Sequence, residues 1–374
     1  QTGAVSALEL SEEDRQGPAA GLGDLLDPVP GVFAASRFNG AQDLRLSVRG
    51  FGARGNFGIR GIRILLDGFP LTLPDGQSAL DDLDPALIAR AEVRRGPAGS
   101  LYGSSAGGVI SLESPDLFVS TGLFAGASTG SYGTYEGRLG YGSVYGDQAL
   151  GAQASVRHSD GYRDHSKQEH RLVTLKYQGD SRNGDSLSAF LTAVDSPYAL
   201  DPGGLTKEES SRDRRAASPI NRAYDAGEEV RQLRTGIALT RPAGSGEIRL
   251  RGQAIGRDFE NKLPFSATEL DRAVGTFSLE LEQQYERVNT LWRWVAGVDL
   301  ALQRDRRKRF LNDLGNVGAT TADQRETVRT AGGFLSLIVQ PTGNLTLQAG
   351  LRADWLEFEL DDKFMEDGDD SGQR

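Results

Sequence analysis

The feature that most constrains this chain is an alternation of apolar and polar residues with period two, held for about ten residues at a time and repeated from Phe118 onward. Between positions 344 and 355, Leu345, Leu347, Ala349, Leu351, Ala353 and Trp355 share one face, while Thr346, Gln348, Arg352 and Asp354 share the other. Trp292, Trp294, Ala296, Val298, Leu300 and Leu302 repeat the pattern against Arg293, Asp299 and Gln303. Leu233, Ile237 and Leu239 form a third case, and Phe277, Leu279 and Leu281 a fourth. Such segments predict strands with one apolar and one wet face, long enough to cross a bilayer at a tilt. Hydrophobic residues are 38% of the chain and the mean hydropathy is -0.41. No run approaches the roughly 18 apolar residues of a membrane helix, but a transmembrane barrel escapes that measure because only alternate residues face lipid.

About eleven such strands are predicted, at 118–130, 134–145, 148–158, 170–179, 185–195, 229–240, 247–258, 273–285, 290–302, 328–339 and 344–358. Short turns at Gly146-Asp147, Asp180 to Gly184, Pro242 to Gly246, Glu286-Arg287 and Pro341-Thr342-Gly343 alternate with longer connections at 159–169, 196–228, 259–272 and 303–327. The first connection, near Tyr132, is brief. Short turns on one rim and long loops on the other belong to outer-membrane barrels. A soluble sandwich would use strands of about 5–6 residues without that asymmetry. Single-chain bacterial barrels have even strand counts, so eleven predicts a fragment whose acidic tail, Glu366 to Arg374, lies in an outer loop. A plugged barrel uses about 22 strands. The expected class is therefore a β membrane protein: an α+β plug, residues 1–115, inside an antiparallel transmembrane β-barrel whose first half is residues 116–374.

The first 115 residues have a different grammar. Pro18 to Leu26 predicts a short helix, stopped by Asp27-Pro28-Val29-Pro30-Gly31. Leu44 to Val48, Ile62 to Leu66 and Val109 to Leu112 predict strands, and Asp84 to Val93 a helical turn before another. Gly is 48 of 374 residues, well above the usual share of about 7%, which implies many turns and close backbone approaches. The absence of Cys rules out disulfides and thiolate metal sites, and a net charge of -10 argues against nucleic acid as partner.

Specific words lie in this N-terminal part: LRLSVRGFG (Leu44 to Gly52), ILLDGFP (Ile64 to Pro70) and AEVRRGPAGSLYGSSAGG (Ala91 to Gly108). With Asp27-Pro28-Val29-Pro30-Gly31-Val32 they resemble, in order and spacing, the plug domain of TonB-dependent outer-membrane receptors; Arg49 to Gln77 is most similar to the ferric-citrate-receptor-like branch. The resemblance covers about residues 20 to 115. It implies TonB-dependent uptake of a ferric siderophore, citrate-like chelates included, across the outer membrane by a monomeric receptor. Cobalamin, haem or an oligosaccharide are the alternative ligands, and a structural or adhesive surface barrel is the alternative class. The implied partners are TonB, the ligand, and outer-membrane lipid and lipopolysaccharide. No enzyme activity, catalytic residue, cofactor or protein metal site is expected, since iron travels in the chelate.

The resemblance also assigns residues. Arg49 and Arg95 look like a latch that pairs with barrel-wall glutamates, expected in further strands; solvation in the plug–barrel gap is the plain alternative. The loops Gly52 to Arg60 and Phe69 to Gln77 would be the outward apices, where Arg54, Asn56, Arg60 and Gln77 are donors for oxygens of a chelate, or simply cap turns. Gly50, Gly68, Gly96 and Gly103 are read as structural turn glycines, with Gly107 and Gly108. Ala4 to Leu10 is weakly strand-like and begins the plug, so a TonB-coupling segment is expected to precede it. Three other patterns are set aside. Gly103-Ser104-Ser105-Ala106-Gly107 fits G-x-S-x-G but is followed by a strand instead of a helix. His158, His165 and His170 match no ligand spacing and are read as solvated loop residues. The basic run Arg304 to Arg309 is read as an outer loop that meets lipopolysaccharide phosphates or an anionic chelate, or is simply solvated.

Overall fold

The computed structural model describes residues 4–10, 21–35, 39–53, 55, 58–95, 99–103, 105–288, 290–342, 345–366 and 368–373. The N-terminal elements are β1 (Ala4–Glu9), α1 (Leu22–Leu26), β2 (Val32–Ala35), β3 (Arg45–Val48), β4 (Ile59–Arg60), β5 (Ile62–Leu66), β6 (Phe69–Pro70), β7 (Gln77–Ser78), a 3-10 turn (Pro85–Leu87), β8 (Arg90–Arg95), α2 (Gly99–Tyr102) and β9 (Gly108–Glu113). Five strands form one sheet in the order β1-β8-β9-β5-β6, and β2–β3 and β4–β7 form two small ladders. Only β5 and β9 run parallel. The sheet buries Ile62, Ile64, Val93, Ile110 and Leu112 against Leu26, Val29, Leu46 and Ile88, which is why its strands read as near-continuous apolar runs. Asp67 and Gly68 both have positive φ, 53° and 80°, and close the β5–β6 hairpin as an Asp-Gly turn. At Gly108, φ is 135° and a Cβ would stand 2.4 Å from the Arg94 carbonyl oxygen, so no side chain fits between β8 and β9 there.

The remaining strands are β10 (Gly122–Thr129), β11 (Tyr135–Tyr145), β12 (Gln148–Ser159), β13 (Gln168–Asp180), β14 (Ser186–Leu200), β15 (Gly227–Ala243), β16 (Gly246–Leu263), β17 (Ser266–Arg287), β18 (Thr290–Asp313), β19 (Asn316–Thr342), β20 (Leu345–Asp362) and the two-residue β21 (Gly372–Gln373). They form one sheet in strict sequence order. Every neighbouring pair is antiparallel. The eleven long strands are those expected from the alternation. Leu233, Ile237, Phe277, Leu279, Val298, Leu300, Leu347, Leu351 and Trp355 are all exposed on one face of the sheet. The opposite face carries Arg234, Arg257 and Arg272 to the N-terminal unit, so the apolar face is the outer one. Trp292 pairs with Val339, which pairs with Leu347; Trp355 lies eight residues further along β20. At about 3.4 Å per residue and a tilt of about 40°, those aromatic levels are about 21 Å apart, close to the height of the apolar band on such barrels.

Two expected long loops are corrected. The stretches 259–272 and 303–327 are continuous ladders, turning only at Pro264-Phe265 and at Leu314-Gly315. Phe265, Leu314 and Gly315 have φ of 70°, 46° and 94°, so tight turns close both hairpins. Above the apolar band charged and polar residues stand on both faces of these strands, with scattered apolar ones such as Phe259, Leu270 and Leu311, so the hydrophobic period vanishes while backbone pairing continues. The connection after β12 is likewise shorter than expected, spanning 160–167, and the first barrel strand begins at Gly122 instead of Phe118. The turn expected at Glu286-Arg287 falls one step later, since β17 runs through Arg287, and that expected at Pro341-Thr342-Gly343 also moves, since β19 runs through Thr342. One long connection remains, residues 201–226, with α3 (Lys207–Arg212) and α4 (Pro219–Ala223). Thr206 and Glu209 cap α3 reciprocally. The helix expected over Pro18 to Leu26 is seen as α1; Pro18 to Ala20 lie outside the described residues.

Candidate functional site: a plug held against the wall beneath an outer vestibule

Five aspartates lie between the β5–β6 turn and the 3-10 turn: Asp67, Asp75, Asp81, Asp82 and Asp84. Each faces a cation on the inner face of the wall. Lys176 on β13 reaches Asp67 at 2.5 Å. Arg234 on β15 pairs with Asp82, both side chains at 2% exposure or less. Arg257 on β16 reaches Asp81 at 2.6 Å, Arg272 on β17 reaches Asp75 at 3.0 Å, and Arg138 on β11 approaches Asp84 at 3.9 Å. Neutral contacts fill the gaps: His170 Nε2 to the Asp81 carbonyl at 2.7 Å, Gln253 Nε2 to the Pro70 carbonyl at 3.0 Å, and Gln303 Nε2 to Asp75 at 3.1 Å. Arg234 also stacks over Phe190, whose ring meets Phe69 edge-on at 4.9 Å. Burial alone would push the Asp67 carboxyl up, but the Lys176 ammonium and the Ser114 donors outweigh it and hold it below the usual carboxylate range. The same contest holds Asp81 down, with Arg257 as the opposing charge.

The charge pattern therefore runs from plug acids to wall cations, a feature the motif reading did not assign. A signal was present: Arg138, Lys176, Arg234 and Arg257 stand on the wet face of predicted strands, Arg272 ends the connection expected at 259–272, and the acids cluster in one loop-rich stretch. Arg49 and Arg95, the expected latch, sit side by side at Gly31. The Arg49 backbone N–H donates to the Gly31 carbonyl at 3.0 Å. The Arg95 guanidinium donates to the Pro30 carbonyl and to Ser6 Oγ, both in the plug.

Above this interface, β4 and β7 pair Arg60 with Gln77. Arg60 is exposed and its Nη1 donates to the Asp75 carbonyl at 3.2 Å, while the Gln77 N–H donates to Asp75 Oδ1 at 2.9 Å. Asp75 thus ties the Arg60–Gln77 apex to Arg272 in the wall. Arg54, Asn56 and Gly96 lie outside the described residues. Gly50 and Gly103 take positive φ, 83° and 66°, as turn positions. The 201–226 connection rests on the plug: Asp201 accepts from Asn39 at 2.7 Å and from Gln42 at 3.4 Å. Arg163 ties the start of the connection to its middle by donating to the carbonyls of Pro202, Gly203 and Ala216.

Of the three histidines only His165 lies in a loop, and each has a partner instead of being free in solvent. His158 stacks on Tyr135 at 4.7 Å, His165 Nε2 lies 3.0 Å from the Ala226 carbonyl, and His170 reaches the plug. Among the described residues no group of His, Cys, Asp or Glu is arranged to hold a metal ion. The G-x-S-x-G stretch leads into strand β9, and Arg304 to Arg309 lie within strand β18 instead of an outer loop.

Residues 1–110 match the family model described as the TonB-dependent receptor plug domain. Among curated proteins, a hemin receptor of Yersinia enterocolitica is 36% identical over 155 residues, covering 37% of this chain and 21% of that protein. A ferrioxamine receptor of the same organism is 28% identical over 194 residues, covering 50% and 26%. Among solved structures, the unliganded ferric citrate transporter FecA superposes with a TM-score of 0.80 at 18% identity, covering 97% of this chain and 57% of that one. The ferric yersiniabactin uptake receptor FyuA of Yersinia pestis gives 0.76 at 14% identity, covering 100% and 60%. The matches span about a fifth to a quarter of the two curated relatives. Residues 1–110 carry the TonB-dependent receptor plug domain, and the chain as a whole has the fold of the two solved receptors, a plug with an arc of barrel wrapped around it.

Proposed function

We propose that the protein takes up a ferric siderophore across the outer membrane in a TonB-dependent cycle, with a citrate-like anionic chelate as the first choice of ligand. The observation that carries this reading is the plug–wall interface: a passive pore or a structural barrel has no use for a stopper held by paired buried charges. In this reading the chelate binds in the vestibule bounded by the Arg60–Gln77 apex and the 201–226 connection, with Arg54 and Asn56 as further donors. Guanidinium and amide groups suit the carboxylate or hydroxamate oxygens of a chelate, and iron remains cargo of its chelator. Arg49 and Arg95 would latch the plug toward glutamates of further strands. Separating one partner of a buried pair such as Asp82–Arg234 costs about 3–5 kcal/mol, so displacing the plug needs work from outside, which TonB supplies. The receptor acts as a monomer in contact with lipid and lipopolysaccharide. Haem is the second reading, favoured by the hemin receptors of Yersinia enterocolitica and Yersinia pestis among the relatives.

The test is a titration of the full-length protein in outer membranes with ferric dicitrate, hydroxamate and catecholate siderophores, haem, cobalamin and maltodextrins, following tryptophan fluorescence. Saturable quenching by one iron chelate, lost in Arg54→Ala or Gln77→Ala, is expected, with uptake but not binding abolished when TonB is deleted. A response to cobalamin or sugar alone would sink the iron assignment. Uptake that survives TonB deletion would sink the mechanism.

A further inference from the structure

Arg272 on β17, Asp305 on β18 and Glu326 on β19 are direct cross-strand partners on the inner face of the wall. Arg272 grips Asp305 through two bonds, Nε to Oδ1 at 2.9 Å and Nη2 to Oδ2 at 2.6 Å. Gln303 Nε2 donates to the same Oδ2 at 2.9 Å. Glu326 has a cation of its own in Arg307, 2.8 Å away. The wall is therefore balanced by itself, two carboxylates against two guanidiniums, and both members of the Arg272–Asp305 pair are buried.

Asp75 enters this set from the plug as a third carboxylate. Its Oδ2 accepts from Arg272 Nη2 at 3.0 Å and from Gln303 Nε2 at 3.1 Å, and its N–H donates to Gln303 Oε1 at 3.4 Å. Among the described residues, Asp67, Asp81 and Asp82 each meet a wall cation that forms no other ion pair. Asp75 instead shares a cation that Asp305 already holds, so one negative charge is left over. Its place is fixed by a tight turn. The Gly76 N–H donates to the Leu73 carbonyl at 2.9 Å and the Leu73 N–H to the Gln77 carbonyl at 2.8 Å. Leu73 itself packs on Ile255 and Val274 of the wall.

This surplus charge lies at the foot of the apex. The Asp75 carbonyl takes Arg60 Nη1 and its Oδ1 takes the Gln77 N–H. Among the described residues Arg60 has no ion pair and the Gln77 side-chain amide no hydrogen bond, so both keep donors for a ligand. A chelate that engages the Arg60 guanidinium therefore meets the Asp75 charge directly behind it.

We propose that Asp75 is a specificity-determining residue of the ligand site: its surplus charge offsets Arg60 and limits how much negative charge a bound chelate can carry. Coulomb energy scales with the ligand's charge, so carboxylate-rich chelates feel Asp75 most and chelates without net charge least. The wall takes part in recognition without touching the ligand, because Arg272, Gln303 and Asp305 set how far the Asp75 charge is neutralised. The inference rests on the reading that Arg60 and Gln77 receive a ferric chelate.

Full-length receptor in outer membranes would be titrated with ferric dicitrate and haem, which carry carboxylates, and with a ferric trihydroxamate of no net charge. Wild type, Asp75→Asn and Asp305→Asn would be compared. Asn at position 75 keeps an acceptor for the Gln77 N–H and removes only the charge. It is expected to tighten the carboxylate ligand about tenfold, the scale of one partly screened unit charge, and the trihydroxamate less than about twofold. Asp305→Asn leaves Arg272 to Asp75 alone and should act in the same direction, which covers the case in which the plug variant docks poorly. A purely structural role for Asp75 predicts the reverse, weaker binding of every ligand in both variants. That result, or an unchanged ratio of affinities, would overturn the proposal. So would a wild type selective for the trihydroxamate that gains no carboxylate ligand in Asp75→Asn. If the wild type binds none of the three, the uptake reading falls and takes this proposal with it.

Discussion

At the scale of single residues, the Asp82–Arg234 pair is the tightest test of how the plug is seated. Both groups are buried, Arg234 also donates to Gln253 at 3.4 Å, and its guanidinium covers Phe190. Asp82→Asn leaves the arginine charge without its counterpart, and about 3–5 kcal/mol of plug docking should be lost. A double-mutant cycle with Arg234→Met, read by denaturant-dependent protease access to the plug, would isolate the pair's own coupling; a coupling near zero would refute this account. Proton linkage follows from Asp67 and Asp81. Both carboxyls are held below their ordinary value in the folded protein. Their contribution is thus full above the unfolded value of about 3.9 and is lost as pH falls through the lower folded value. Plug docking should be flat from neutral pH down to about 4 and fail below it; a midpoint near pH 6 would point to another group. None of these partners was legible one residue at a time, because an inward arginine on a strand looks the same whether it meets water or a plug carboxylate.

At the scale of elements, the alternation located the eleven barrel strands but ended them at the edge of the apolar band. Beyond it, β16 to β19 continue as paired ladders in which charges face each other across strands, as with Arg307 and Glu326 at 2.8 Å. Hydrophobic periodicity reports contact with lipid, not backbone hydrogen bonding, so a strand that rises into water drops out of the pattern. This difference is testable by trypsin on intact cells or proteoliposomes. Lys207, Arg212, Arg214 and Arg215 are in the 201–226 connection and should be cut first. Lys262 and Arg304 to Arg309 sit in ladders and should resist cleavage, although the sequence alone places them in loops. Early cleavage at Arg306 or Lys308 would show that those strands are not formed.

For the whole molecule, two bodies with different sources of stability are pressed together. The plug has one small apolar core, whereas each central barrel strand is paired on both sides along its length. Denaturant titration of the full-length protein should therefore show two transitions, the plug released before the sheet. Asp82→Asn should move the first midpoint and leave the second in place, since the wall's ladders do not involve it. A single transition moved as a unit would mean that plug and wall fold as one cooperative block.

The sequence by itself determined the two grammars of this protein, the number of long barrel strands, which face of each strand meets lipid, and the plug motifs from Leu44 to Gly108. Those are local properties: periodicity, turn chemistry at pairs such as Asp67-Gly68, and the close packing demanded at Gly108 are all written in neighbouring residues. The tertiary structure decided which charges meet. Asp82 and Arg234 are 152 positions apart and Asp75 and Gln303 are 228 apart. The outward row of cross-strand partners Asp195, Arg231, Asp258, Asp271, Arg306 and Arg325 exists only because five separate strand registers align it. Register sums over every turn between two strands, so a relation of that kind has no signature in any one stretch of chain and appears only once the sheet is wrapped around its plug.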